Sequence, residues 1–211
     1  MNRPLVVAIT GASGAVYAVR LVQVLARACP ELHLVISPAG RDVLQLELAL
    51  DLGQDPLDPA RLLEIELPFC ESPAGDPVAS LHVHDHKDMM APIASGSFLT
   101  AGMVICPCSG GTLSSVVSGA SGNLIHRAAD VHLKEGRRLI LVPRETPLSR
   151  IHLENMLRAR DAGATVLPAS PGWYHGVQGL GDLVDFVVAR VLDQLEVGHS
   201  LMKRWSETTD D

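Results

Sequence analysis

The sequence predicts a three-layer α/β fold, in which helices cover both faces of a parallel sheet. Short apolar runs of strand length alternate with segments whose apolar residues recur every three or four positions. Two of these runs end directly in glycine-containing turns, at Gly11–Gly14 and at residues 108–112. Strands that are buried on both faces and alternate with helices form parallel sheets, as in Rossmann-like and flavodoxin-like domains.

Five apolar runs are the expected strands. Each is four to six residues long, and most of their residues are Val, Ile, Leu or Ala. Their length and continuity are typical of strands in the middle of a parallel sheet. In chain order, the runs are Leu5–Thr10, Leu32–Ser37, Met103–Pro107, Arg138–Val142 and Ala164–Leu167.

Helices are expected in the segments that follow these runs. The first begins at Gly14, presents one apolar face, and ends at Pro30. The second begins at Ser37, which can cap free amides, and Pro38, which suits a first helical turn. Residues 51–80 contain five prolines and, apart from one short helix, are expected to be irregular. The ranges after the first helix are Ala39 to about Leu50, a short helix within Ala60–Leu67, Leu113–Val117, Ser149–Ala162 and Asp182–Leu195.

Composition limits the class of protein. A length of 211 residues predicts one domain over residues 1–211, and the net charge of −7 argues against broad nucleic-acid binding, which depends on Lys and Arg. No apolar run approaches the roughly 18 residues that span a membrane, and no signal peptide is recognised. We therefore expect a cytoplasmic protein without a membrane partner, whose four cysteines are reduced thiols.

The two glycine turns are candidate anion sites. Each joins a strand to a helix N-terminus, where free amides and the helix dipole attract negative charge. The spacing is not G-x-G-x-x-G, and Ser37 rather than an acid follows the second strand, so a mononucleotide is favoured over a nicotinamide dinucleotide. Turns that serve packing alone are the alternative. The hydroxyl groups in the turns are those of Ser13, Ser109 and Thr112.

Two further patterns resemble metal sites. His82, His84 and His86 alternate along the chain and would share one face of a strand. Cys106 and Cys108 form a Cys-x-Cys pair, but the second pair that tetrahedral zinc would need is missing. A polar surface segment and buried structural thiols are favoured instead. No metal is expected, and the sequence leaves the role of the histidines open.

Three members of one group of polar residues are expected in or beside strand-end loops that face the same crevice. Long cations there suit a phosphate, and a carboxylate among them can move protons if its pKa is tuned. Ordinary surface ion pairs are the alternative. The group consists of Lys134, Arg144, Glu145, Tyr174 and Arg190.

Ordered motifs run along nearly the whole chain. They are Thr10-Gly-Ala-Ser-Gly14, Ala94-Ser-Gly-Ser97, Cys106-Pro-Cys-Ser109, Asn123-Leu-Ile-His-Arg-Ala-Ala-Asp130, Leu133-Lys-Glu135, Val142-Pro-Arg-Glu-Thr-Pro147, Ile151-His-Leu-Glu-Asn-Met156 and Leu167-Pro-Ala-Ser-Pro-Gly-Trp-Tyr-His175. Together they resemble the motifs of UbiX-type flavin prenyltransferases, within the wider group of homo-oligomeric flavin-containing cysteine decarboxylases.

The resemblance implies an activity and an assembly. Reduced FMN would be bound and alkylated at N5 and C6 by dimethylallyl phosphate, without a metal, and the prenylated FMN would serve a UbiD-type decarboxylase. The resemblance also implies a homo-oligomer, a dodecamer by the family pattern, with active sites between subunits. Residues 196–211 would form a tail that packs on a neighbouring subunit.

The matching motif positions also imply residue roles. The flavin nucleotide would be held by Gly11, Ala12, Ser13, Ser37, Ser109, Thr112 and Arg127. The prenyl phosphate would be held by Lys134, Arg144, Tyr174 and Arg190, with Trp205 closing the site. Glu145 would be the principal acid–base residue, and proton handling is implied for Ser13 and Glu47.

Two other functions remain open at this point. A flavin-dependent decarboxylase would normally carry Pro-Ala-Ser-Ala-Asn-Thr, which residues 107–112 replace with Pro-Cys-Ser-Gly-Gly-Thr. An FMN carrier would need only the two glycine turns, and it would not require the group of cations around Glu145.

Overall fold

A six-stranded parallel sheet forms the centre of the protein, for which a computed structural model describes residues 3–53 and 57–204. The strands are β1 (Leu5–Ile9), β2 (Glu31–Ile36), β3 (Ser80–His84), β4 (Gly102–Cys108), β5 (Leu139–Pro143) and β6 (Thr165–Val166). Their order across the sheet is β3-β2-β1-β4-β5-β6, and every neighbouring pair is parallel. The predicted parallel sheet is confirmed, with β3 as an additional edge strand.

Seven helices connect the strands within the described residues. They are α1 (Ala15–Ala28), α2 (Pro38–Leu48), α3 (Ala60–Glu64), α4 (Gly110–Val117), α5 (Leu124–Lys134), α6 (Arg150–Asp161) and α7 (Leu180–Leu195). Helix α5 was not predicted, although Leu124, Ile125, Ala128 and Val131 give it a buried apolar face. None of the helices in residues 3–53 and 57–204 has the length and apolar character needed to cross a membrane.

The sheet separates two apolar layers, as the three-layer prediction requires. Leu5, Val7 and Ile9 of β1 face one layer, which contains residues of α1, α2, α3 and α7. Val6 and Ala8 face the other layer, which contains residues of α4, α5 and α6. This alternation follows from the two-residue period of a strand, and it explains why β1 is apolar throughout.

The strand order creates a switch point between β1 and β4. From β1 the chain moves outward to β2 and β3, and it then returns to place β4 on the other side of β1. Ligands of open α/β sheets bind beyond the carboxyl ends of the strands at such a point. Both glycine turns follow these two strands, so the topology brings them together.

The C-terminal segment is described as far as Arg204. Val197 is buried in the core of the same subunit, and both His199 and Arg204 bind the carboxylate of Asp193 on α7. Val197, His199 and Arg204 therefore contact their own subunit. The predicted packing of a tail on a neighbouring subunit remains a prediction, and its remaining part, residues 205–211, lies outside the described residues.

Candidate functional site

Thr10 joins the two glycine turns at the switch point. Its buried hydroxyl group donates to the Pro107 carbonyl at 2.8 Å and accepts from the Ser109 amide at 2.8 Å. These bonds link residues nearly 100 positions apart in the sequence. The turns are therefore two walls of one crevice.

Helix α4 contributes a capped N-terminus to this crevice. Ser109 Oγ accepts from the Thr112 amide at 3.2 Å and lies 3.0 Å from the Thr112 hydroxyl group. A Cβ atom added to Gly111 would meet nothing within 4 Å. A ligand can therefore approach the backbone closely at Gly111.

Ser37 lies at the third corner of the crevice. Its amide donates to the Ile9 carbonyl at 3.0 Å, and its hydroxyl group caps α2 by accepting from Gly40 N at 3.0 Å. The first turn of α2 packs tightly on the end of β1: a Cβ atom on Gly11 would lie 2.5 Å from Ala39 Cβ. Glycine is required at position 11 by this close approach.

The N-terminus of α1 receives its anion from the protein itself. The Glu47 carboxylate accepts from the Gly14 amide at 2.9 Å and from the Ala15 amide at 2.8 Å. Negative charge is stabilised at this position by the helix dipole. The sequence analysis predicts a ligand anion at this turn. In the structure, the Glu47 carboxylate already accepts hydrogen bonds from the amides of Gly14 and Ala15.

Arg144 and Glu145 extend the crevice beyond β5. Arg144 Nε donates to the Ser13 carbonyl at 3.1 Å, and the exposed Glu145 carboxylate accepts from the Thr146 amide at 3.2 Å. The structure also adds His152, whose Nε2 atom would lie 3.1 Å from a Cβ atom on Gly110. Residue-type reasoning did not identify His152, although it lies within a motif that carried the family resemblance.

Arg127 lies in the first turn of α5, and Lys134 is the last residue of this helix. Arg127 donates to the Ala94 carbonyl at 3.0 Å and to Asp130 at 2.9 Å. Lys134 Nζ binds Glu135 at 2.5 Å, and this contact lowers the pKa of the Glu135 carboxyl. A Cβ atom on Gly96 would lie 3.0 Å from Lys134 Nζ.

Lys134 and Arg144 lie at opposite ends of the parallel strands. Lys134 is held beside the segment that leads into the amino end of β4, whereas Arg144 follows the carboxyl end of β5. A strand of this length spans roughly 16 Å at about 3.3 Å per residue. Within one subunit, these two predicted phosphate ligands therefore do not face the same crevice.

Tyr174 and Arg190 occupy a third position, beside α7. The Tyr174 ring meets Phe186 edge to face at 5.7 Å between centroids, and Arg190 binds Asp193 at 2.8 Å. A cleft of about 410 Å³ between β6 and α7 is lined in part by Phe186 and Arg190. The remaining predicted ligand, Trp205, lies outside the described residues.

Cys106 and Cys108 are free, buried thiols beneath the crevice. Burial raises the pKa of both groups, and that of Cys108 reaches about 12. They are therefore neutral at physiological pH. Their burial agrees with the interpretation of the Cys-x-Cys pair as buried structural thiols.

Comparisons with known proteins agree with the geometry. The Flavoprotein family model matches residues 1–192. The flavin prenyltransferase UbiX of Alkalihalophilus pseudofirmus is 51% identical over 207 residues, which cover 98% of each chain. The UbiX protein of Pseudomonas aeruginosa is 49% identical and covers 95% of this chain and 92% of its own.

Solved structures show the same similarity. AnUbiX in complex with FMN and dimethylallyl pyrophosphate has a TM-score of 0.82, with 38% identity over 99% of this chain and 100% of its own. A dodecameric FMN-dependent UbiX-like decarboxylase from Escherichia coli O157:H7 has a TM-score of 0.80 and 40% identity, and the match covers 96% of this chain and 99% of its own. The chain therefore belongs to the Flavoprotein family and, within it, to the UbiX flavin prenyltransferases.

Proposed function

We propose that this protein transfers a dimethylallyl group from dimethylallyl phosphate to N5 and C6 of reduced FMN. The prenylated FMN then serves a decarboxylase of the UbiD type. The observation that carries this proposal is the 51% identity to a flavin prenyltransferase over 98% of the chain. A cytoplasmic location remains a prediction, and the four free cysteines agree with a reducing compartment.

The crevice at the switch point fits a flavin mononucleotide. Backbone amides and hydroxyl groups surround it, and the open position at Gly111 allows close approach. Arg127 supplies a guanidinium group, which forms strong, charge-assisted hydrogen bonds with phosphate. The proposed flavin ligands are Gly11, Ala12, Ser13, Ser37, Ser109, Thr112 and Arg127.

The prenyl phosphate site requires more than one subunit. Arg144, Lys134 and the pair of Tyr174 and Arg190 lie at three separate places in one subunit. A symmetric oligomer can bring such groups together, and a UbiX-like relative is dodecameric. We therefore propose a homo-oligomer, a dodecamer, in which the prenyl phosphate site lies between subunits.

Exposed apolar side chains support this assembly. Large exposed apolar patches mark protein–protein interfaces more often than free surfaces. Along α6, several apolar residues face solvent in the single subunit. Large apolar side chains that are more than 60% exposed include Leu46 (85%), Met90 (91%), Ile151 (67%), Leu157 (62%) and Trp173 (71%).

The cations have a clear role in prenyl transfer. Cleavage of the allylic C–O bond leaves negative charge on the departing phosphate, which preorganised Lys and Arg side chains stabilise. Reduced FMN supplies the electron-rich acceptor when it is bound. Glu145 accepts the proton that is displaced when the ring closes, because its exposed carboxylate lies at the rim next to Arg144. Ser13 assists proton handling, together with Glu47, which binds the turn that carries it.

Anaerobic incubation with FMN, a reductant, dimethylallyl phosphate and EDTA tests the activity. Mass spectrometry of the released flavin should show FMN that is heavier by one C5H8 unit. Unmodified FMN released from a protein that binds it would contradict the proposal and favour the decarboxylase or the carrier.

Two substitutions test the site. Glu145→Gln should retain FMN and slow prenylation at least ~100-fold, the usual scale of general acid–base catalysis. Glu154→Gln, which removes a carboxylate on α6, is the control. Arg127→Ala should chiefly weaken FMN binding, whereas Arg158→Ala should not. Normal turnover of Glu145→Gln, or normal FMN affinity of Arg127→Ala, would remove the residue from its proposed role.

A further inference from the structure

Three histidines and a glutamate lie together at the β2–β3 edge of the sheet, outside the flavin crevice. The register pairs His33 with His82, and the next pair on this face is Val35 with His84. Glu31 lies two residues before His33. Because alternate residues of a strand share one face, all four side chains project from the same side of the sheet.

Three ligand atoms of this cluster already lie close together. Glu31 Oε1 is 3.0 Å from His33 Nε2 and 3.3 Å from His82 Nε2, and all three atoms lie within 4.8 Å of one another. Zinc bonds of about 2.0–2.2 Å place tetrahedral ligands about 3.3–3.5 Å apart. An ion could therefore be bound with only small side-chain movements.

His84 holds His33 in the orientation that such a site needs. Nδ1 of His33 lies 2.8 Å from Nε2 of His84, so a metal at Nε2 of His33 leaves its Nδ1–H group donating to His84. Histidine ligands of metals characteristically donate their other ring N–H to an outer acceptor, most often a carboxylate, a carbonyl or water, and His84 provides the acceptor here. His33 is only 3% exposed and its ring packs edge to face with Phe98 at 5.0 Å, which further fixes the ring.

The sequence pattern identified only half of this cluster. His86, the third member of the alternating pattern, instead lies 3.2 Å from the Asp85 carboxylate. Glu31 and His33 come from β2, about 50 residues away, and they face His82 only because β3 pairs with β2. The tertiary structure thus replaces one expected histidine with a histidine and a carboxylate.

We propose that Glu31, His33 and His82 bind a Zn²⁺ ion, with a fourth position open to solvent. His84 is a positioning residue that orients His33. Two imidazoles and one carboxylate form a ligand set that zinc commonly uses. The ion would connect β2 to β3, which is an edge strand with a single neighbour in the described sheet. The site is independent of prenyl transfer.

Zinc titration of the intact, FMN-bound protein tests the site. After treatment with EDTA and dialysis, calorimetry should show one Zn²⁺ per chain. His82→Asn should weaken binding at least tenfold, whereas His86→Asn, a histidine outside the cluster, should bind as the wild type does. Both positions are partly exposed, so both variants should fold. Absence of saturable binding at one ion per chain, or equal binding by both variants, would overturn the proposal.

Two further measurements separate metal ligation from a hydrogen-bonded cluster. Co²⁺ should give the intense visible absorption of a four-coordinate ion in the wild type and not in His82→Asn. His84→Asn should keep the stoichiometry but lose about 10–100-fold in Zn²⁺ affinity, the usual effect of removing an outer partner. Zn²⁺ should also raise the Tm of the wild type and leave that of His82→Asn unchanged. An unaltered affinity in His84→Asn would remove its positioning role.

Discussion

Replacement of Glu47 with alanine should loosen the start of α1 and the turn that carries Ser13. The Glu47 carboxylate accepts hydrogen bonds from Gly14 N at 2.9 Å and Ala15 N at 2.8 Å. Loss of a capping side chain costs about 0.5–2 kcal/mol. Loss of negative charge at a helix N-terminus costs roughly 0.3–1 kcal/mol more. Because Glu47 is exposed and water can replace part of its contribution, we expect a net loss of about 1–2 kcal/mol.

Thermal unfolding at a fixed subunit concentration measures this loss. For a chain of this size, each kcal/mol shifts Tm by about 2–4 °C, so Glu47→Ala should lower Tm by roughly 2–8 °C. Glu47→Gln retains an acceptor oxygen and should lose less than half as much. Asp42→Ala removes an exposed carboxylate from the same helix and is the control. A Tm of Glu47→Ala equal to that of the control would refute the capping argument.

The same variants separate capping from proton handling. Glu47→Gln preserves most of the cap but cannot exchange a proton as a carboxylate does. If Glu47 handles protons with Ser13, this variant should slow prenyl transfer by about 100-fold while it remains folded. A normal rate in Glu47→Gln, combined with a reduced rate in Glu47→Ala, would assign Glu47 a structural role alone.

Three other predictions follow from particular contacts. Gly11→Ala should destabilise the fold by about 1–3 kcal/mol through overpacking, because the new Cβ atom would lie 2.5 Å from Ala39 Cβ. The same substitution should weaken FMN binding. Gly198→Ala, at an exposed glycine that has open space and lies outside the crevice, is the control in a fluorescence titration with FMN. Asp185→Asn should lower the free energy of unfolding in urea by about 3–5 kcal/mol, because it leaves the buried guanidinium group of Arg20, 2.6 Å away, without its counter-charge. A loss below about 1 kcal/mol would contradict this. Burial raises the pKa of Cys70 to about 11 and that of Cys108 to about 12, so neither thiol should react with iodoacetamide in the native protein at pH 8. As pH rises, Cys70 should react first, and rapid labelling at pH 8 would show that a thiolate is accessible.

The central strands and the glycine turns could be predicted because their signals are local. Strands β1, β4 and β5 are buried on both faces, so each is a continuous apolar run. Ser37 and Ser149 cap their helices as their residue types favour. The edge strand β3 has a polar face and one partner, so its existence depends on pairing with β2 rather than on its own pattern.

The site shows the same division between local signals and long-range contacts. Family motifs predicted the candidate site residues, since each motif is a short segment with its own chemistry. Lys134 and Arg144 are ten residues apart in the sequence. Strand β5 lies between them, so they are at opposite ends of the parallel strands. Their proposed meeting at one phosphate therefore depends on assembly, which short sequence motifs do not describe.

By itself, the sequence determined the layered α/β fold, the two glycine turns and the family of the chain, because burial, periodicity and turn chemistry act over a few neighbouring residues. Only the tertiary structure decided that Glu47 caps α1, that Thr10 joins the two turns, and that His33 faces His82. These contacts connect residues that are 32 to 99 positions apart. They exist because the order and register of the strands bring distant segments together.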